Sequence, residues 1–226
     1  MHIEPGIVDG AKLTLSYATA IASIGFTAKT AAGELRDCGF TGLISRSFLA
    51  TILVYSFFEI LPHYPVGVSE VHLILGTTLF LIFGAGPAAV GLAAGLLLQG
   101  VFFAPFDLPQ YGMNVTTLLV PLFAMGLLAK KIIPANTAYV DVKYSQALAL
   151  SVAYQGGVVG WVGFWALYGQ GFEAANLSSI ASFGAAYMLV VAIEPLADLA
   201  ALAGAKTLSG LKGSAIVQSR LHSPAT

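Results

Sequence analysis

Charged side chains are scarce in this chain: Asp, Glu, Lys and Arg make up 9% of its 226 residues, whereas a soluble domain carries about 25%. So few charges cannot coat a water-soluble fold when 57% of the residues are hydrophobic and the mean hydropathy is +0.83. An excess of one sign is missing as well. The formal net charge of -1 leaves no basic surplus to neutralise phosphates, which argues against a nucleic-acid partner. There is a single cysteine, Cys38, which closes no intramolecular disulfide and reads as a small apolar filler near a helix end. No Walker loop, Gly-rich phosphate loop or His-Glu-x-x-His pair occurs, so the chain has no visible means of hydrolysing ATP itself. The opening Met1-His2-Ile3-Glu4-Pro5-Gly6 lacks the basic and apolar regions of a signal peptide, and the mature chain is expected to begin at Met1.

Long apolar runs are what the chain has in abundance. A hydrocarbon core about 30 Å thick needs roughly 20 apolar residues per helix. Seven stretches bounded by charges, Pro and Gly fit that size: 11 to 30, 43 to 61, 69 to 84, 86 to 104, 114 to 131, 143 to 168 and 176 to 203. The expected fold is an all-α integral membrane protein of about seven transmembrane helices, with residues 1–205 as one transmembrane substrate-binding domain and 206–226 as a cytoplasmic tail. Lys and Arg gather on the cytoplasmic side of membrane proteins. With the N-terminus outside, that side holds Lys29, Arg36, Arg46, Lys130, Lys131, Lys143, Lys206, Lys212 and Arg220, and only Lys12 is left outside. The outer side then collects His2, His63 and His72 together with Glu4, Asp9, Glu59, Glu70, Asp107 and Glu173. Small residues four apart, Ala18 and Ala22 or Gly91 and Gly95, allow close helix packing within the chain, or docking of the first helix on another membrane subunit.

A histidine at position 2 is the most informative single residue. The α-amine of Met1, the peptide nitrogen of His2 and its Nδ1 lie on one covalent path and can close adjacent five- and six-membered chelate rings around one metal ion. A peptide unit holds these nitrogens in a plane, which suits Ni(II) or Cu(II), with Co(II) accommodated at some cost in geometry. His72, in Val68-Ser69-Glu70-Val71-His72-Leu73, is the expected fourth donor, because an ionisable residue beside a membrane span usually marks a site or pathway. Alone, it is equally an interfacial histidine bonded to a nearby carbonyl. Ile3-Glu4-Pro5-Gly6 is short and turn-prone enough to tuck back among the helices. Asn114 either caps the fifth span or orients a ligand imidazole or the terminal amine. Gln99 either packs between helices or lines the cavity. Glu70, Asp107 and His63 are candidate surrounding groups, His63 being foremost an exposed loop residue. Glu194, before Pro195, is expected near the cytoplasmic interface.

These residues resemble the substrate-capture component of cobalt and nickel transporters of the energy-coupling factor type, the CbiM/NikM family. The resemblance rests on Met1-His2-Ile3 with Gly6 following, Val68-Ser69-Glu70-Val71-His72-Leu73, the Gly-rich helix ending Leu97-Leu98-Gln99-Gly100, and Gly112-Met113-Asn114. It implies Co(II) or Ni(II) as transported substrate, cobalt in turn serving cobalamin synthesis, and no organic cofactor. It implies that the Met1 amine, the amide and imidazole of His2, and His72 bind the metal in a pocket into which the N-terminus inserts. It also implies partners: a transmembrane coupling subunit, two cytoplasmic ATPase subunits and often a small auxiliary membrane protein.

The expected role is therefore a non-catalytic transporter subunit of the cell membrane, loaded from outside. The competing readings are an intramembrane metal enzyme using His63, His72 and Asp107, and a stand-alone channel or secondary carrier.

Overall fold

A computed structural model describes residues 2–224. Its helices are α1 (Leu13–Ile60), α2 (Gly76–Phe83), α3 (Ala85–Phe102), α4 (Tyr111–Ile132), α5 (Tyr144–Gln170) and α6 (Ala174–Thr207), with a hairpin of β1 (Tyr64–Val66) and β2 (Ser69–Val71) between α1 and α2. Five helical stretches are long and apolar enough to cross a membrane: Gly10–Ile60, Ala85–Phe102, Pro105–Ile132, Tyr144–Gln170 and Ala174–Thr207.

The first of these contains two of the expected spans. Gly39 interrupts α1 with φ 69° and ψ 175°, a left-handed φ that glycine adopts without a steric penalty. The contacts of α3 show that the chain reverses there. Gly86 lies against Ala31, whereas Gly91 lies against Ala50 and Gly95 against Val54. Further along α3, Val90 and Ala94 share a groove with Thr27 and Ile24. Moving along α3, the first half of α1 therefore counts down and the second half counts up. The helix continues past residue 30 because Glu34, Leu35 and Arg36 sustain helical backbone outside an apolar run. Gly91 and Gly95 are spent on this internal packing, while Ala18 and Ala22 are exposed and touch no other helix face closely enough to be buried.

The expected third span, 69 to 84, is not one helix. Its first part pairs as the antiparallel β2, in register Tyr64 with Val71 and Val66 with Ser69. Only Gly76–Phe83 is helical, 8 residues or about 12 Å, less than half a bilayer core. Valines at 66, 68 and 71 around the Gly67 turn favour strand, and an uninterrupted apolar run does not distinguish strand from helix by periodicity.

The short helix is satisfied at both ends by distant residues. The Ile74 and Leu75 amides donate to Glu194 Oε1 at 2.6 and 2.7 Å, and Gln218 Nε2 donates to the Phe80 and Leu81 carbonyls at 2.7 and 2.6 Å. Glu194 is thus fully buried under α2 rather than near an interface. Residues after α6 fold back over this end of the bundle, where Arg46 Nε donates to Ala215 O and Arg220 reaches Ile133 O and Pro134 O. At the opposite end, the N-terminal segment lies on α5: Lys12 donates to Gly169 O at 2.6 Å, and Tyr17 donates to Pro109 O at 3.0 Å.

Ile3 and Val8 are buried, and a Cβ built on Gly169 would run into Ile7 O. Gly169→Ala is therefore expected to lift residues 6–8 off α5 and speed amide hydrogen exchange from Ile3 to Val8, with the helices unchanged. Wild-type protection of that segment would contradict this packing.

Candidate metal site

Backbone pairing brings His2 and the hairpin together. Ile3 bridges Ser69 in antiparallel fashion, the Glu4 amide donates to Val68 O at 3.1 Å, and the Glu70 amide donates to His2 O at 3.0 Å. Ser69 Oγ also donates to His2 O at 2.9 Å, and the Ile3 amide donates to Asn114 Oδ1 at 2.9 Å. The N-terminal segment acts as a third strand beside β2, two residues short of His72. Asn114 is not the cap of α4, which begins at Tyr111; its carboxamide anchors the returning chain at residue 3.

Both histidines are buried, His2 at 4% and His72 at 3% exposure, and each uses one ring nitrogen in a hydrogen bond. His2 Nε2 lies 2.6 Å from Gln99 Oε1 at the end of α3. An oxygen can only accept, so Nε2 carries the hydrogen. His72 Nδ1 lies 3.2 Å from Leu73 O, so there Nδ1 is the donor. The remaining nitrogens, His2 Nδ1 and His72 Nε2, are buried without a hydrogen-bond partner. His2 Nδ1 faces the buried Asp107 carboxylate, 3.0 Å from Oδ2. An imidazole whose second nitrogen donates to a carbonyl or amide oxygen is the usual form of a metal ligand, since that bond fixes the tautomer and the ring plane. The face of the His72 ring is closed off by Phe58 of α1, with centroids 4.8 Å apart and planes at 73°.

Asp107, in the 3-10 turn Pro105–Gln110, is buried beside His2. Glu70 is half-buried on the pairing strand. Together with Glu4 they give this pocket a negative lining. His63 stands exposed at the start of the hairpin with Nδ1 against Leu61 O, outside the buried group. Among the described residues no three His, Cys, Asp or Glu side chains are grouped to hold a metal ion. Met1, an expected ligand, lies outside the described residues. Ser69 is a partner of this pocket that sequence reasoning gave no role, because a serine in a strand has no distinguishing pattern.

Burial holds the Glu4 carboxyl above its ordinary value of 4.5; repulsion from Glu70 and Asp107 adds to the rise, and His2 opposes it. A folded-state value above the unfolded one gives stability that is fully present below pH 4.5 and lost as pH rises through the raised value. Glu4→Gln is expected to remove that loss, so thermal unfolding of the metal-free protein in detergent should decline less with rising pH than in the wild type. Parallel pH profiles would show that the carboxyl is not confined as described.

The segment strapped into this pocket falls within the region that a known family shares. Neither curated proteins nor solved structures give a match. A family model described as the cobalt uptake substrate-specific transmembrane region matches residues 2–208, from the paired His2 through the last helix, and the chain accordingly belongs to the CbiM family.

Proposed function

We propose that this subunit captures Co(II) or Ni(II) in the pocket where its N-terminus folds back, as the substrate-binding component of an ATP-driven transporter of the energy-coupling factor type. The observation that carries this reading is the pair of buried imidazoles, each with one nitrogen in a hydrogen bond, leaving His72 Nε2 without a partner and His2 Nδ1 facing only the Asp107 carboxylate. In the proposed complex His2 supplies Nδ1 and its main-chain nitrogen, His72 supplies Nε2, and the Met1 amine is the fourth donor. Asp107, Glu70 and Glu4 attract the cation, while Gln99 and Asn114 hold the donor-bearing segment in place. Nitrogen donors of this kind serve both metals, and cobalt taken up this way would supply cobalamin synthesis.

Lys and Arg distribution supports a cell-membrane orientation with this pocket outside, because nine of the ten cations lie toward the opposite end. The chain offers no nucleotide-binding loop, so we assign energy supply to partners: a transmembrane coupling subunit, two cytoplasmic ATPase subunits and a small auxiliary membrane protein. The exposed small residues Ala18 and Ala22 on α1 suit the coupling subunit's face. Transport of this kind needs no covalent catalysis by this subunit. The enzyme reading is disfavoured by His63, which stands exposed and apart from buried His72 and Asp107.

Titration of the detergent-purified full chain with Ni(II) or Co(II) tests the proposal. His2→Ala, His72→Ala and acetylation of the terminal amine should each weaken binding at least about tenfold. Affinity should rise from about pH 6 to about pH 8, because amide, amine and imidazole nitrogens must shed protons to bind. Wild-type affinity in His72→Ala would overturn the assignment.

A further inference from the structure

Helix α2 begins in the protein interior with no cap of its own. The residue preceding it, Leu75, has φ 57°, and no side chain of its own N-terminal turn accepts its amides. Free amides at a helix start are costly where water is absent. Glu194, on the middle of α6, meets that need from 120 residues away in sequence at Ile74 and 119 at Leu75. Its other oxygen accepts from Gln155 Nε2 of α5, and both side chains are fully buried. A carboxylate also suits the positive end of a helix dipole.

The Ile74 amide belongs to the same peptide unit as the Leu73 carbonyl. That carbonyl is the group that accepts from His72 Nδ1. Because a peptide unit is planar and rigid, fixing its N–H fixes its C=O. A carboxylate on the N–H also polarises the unit and strengthens the carbonyl as an acceptor. One continuous path therefore runs from Glu194 through the Leu73–Ile74 peptide to His72 Nδ1, and the bare nitrogen lies on the other side of the ring.

We infer that Glu194 is a positioning residue for the metal ligand His72: by holding the Leu73–Ile74 peptide plane, it selects the tautomer that presents Nε2 as a free lone pair. The inference rests on the proposed role of His72. One turn further along α6, Asp198 accepts from Thr78 Oγ1 of α2. That contact ties the same two helices together without touching the peptide that holds His72, which makes it the natural control.

A double-mutant cycle on the full chain in detergent, read by Ni(II) titration, tests this directly. Glu194→Ala should weaken Ni(II) binding by roughly 10- to 100-fold when His72 is present, the usual loss when an outer partner of a metal ligand is removed. In a His72→Ala background the same change should cost less than about threefold, since the effect passes through that ring. Glu194→Gln keeps an accepting oxygen and should recover most of the affinity, whereas Asp198→Asn should leave the coupling to His72 near zero. Nitrogen-15 shifts of the His72 ring in the metal-free protein should show Nδ1 protonated in the wild type and a mixture of tautomers in Glu194→Ala. Should Glu194→Ala not fold, Glu194→Asp withdraws the carboxylate by one methylene and should still lower affinity at least about tenfold. Equal losses with and without His72, or an unchanged tautomer, would overturn the inference. If His72→Ala alone leaves Ni(II) affinity intact, it is the metal-site reading that fails.

Discussion

Non-helical backbone inside an apolar body must find its hydrogen-bond partners within the protein, because no water is there to supply them. That constraint organises this molecule wherever a helix is broken. The N-terminal segment meets it by pairing with β2 and by giving the Ile3 amide to Asn114. Helix α2 meets it through Glu194 at its start and Gln218 at its end. Helix α3 follows the Gly84 break and receives Glu34 of α1, whose Oε1 accepts from the Gly86 amide at 2.8 Å. Each broken end is thus closed by a polar side chain carried on a different element.

The proposed metal pocket is a place where satisfaction of polar groups stops short. Around His2 and His72 the backbone is paired and each ring has one nitrogen engaged, yet His72 Nε2 has no partner and His2 Nδ1 has only the Asp107 carboxylate 3.0 Å away. Leaving a buried group such as His72 Nε2 unpaired costs folding free energy, on the order of 1–3 kcal/mol. A transition-metal ion would return that loss by binding, and it would also relieve the crowding of Glu4, Glu70 and Asp107. The chain belongs to a cobalt-uptake family, and the region that the family shares includes His2 and His72.

Much of the architecture was legible from composition. The helices α3 to α6 begin and end at most four residues from the apolar runs read from sequence, the largest gap being 203 against Thr207. Charges, Pro and Gly mark where apolar helices must end, and no tertiary knowledge is needed for that. The pairing of His2 with the hairpin was expected only as a tucked segment, because antiparallel register depends on residues 67 positions apart. The third run misled because it joins a strand, Ser69–Val71, to a short helix, Gly76–Phe83, with no Pro or Gly break between Ser69 and Leu75. Glu194 was expected near the cytoplasmic interface from its position before Pro195 in the inner half of the last helix. Sequence could not show that an uncapped helix faces it. His63, by contrast, behaves as the loop position suggested, and Gln99 proves to be a partner of His2 rather than a packing residue alone.

The central claim is that the imidazoles of His2 and His72, at the folded-back chain start, bind the transported ion. X-ray absorption at the cobalt edge of the loaded full chain tests it most directly. A shell of nitrogen donors with multiple scattering from two imidazole rings, reduced to one ring when His72 is replaced, is the predicted spectrum. An oxygen-only shell without imidazole scattering would contradict it.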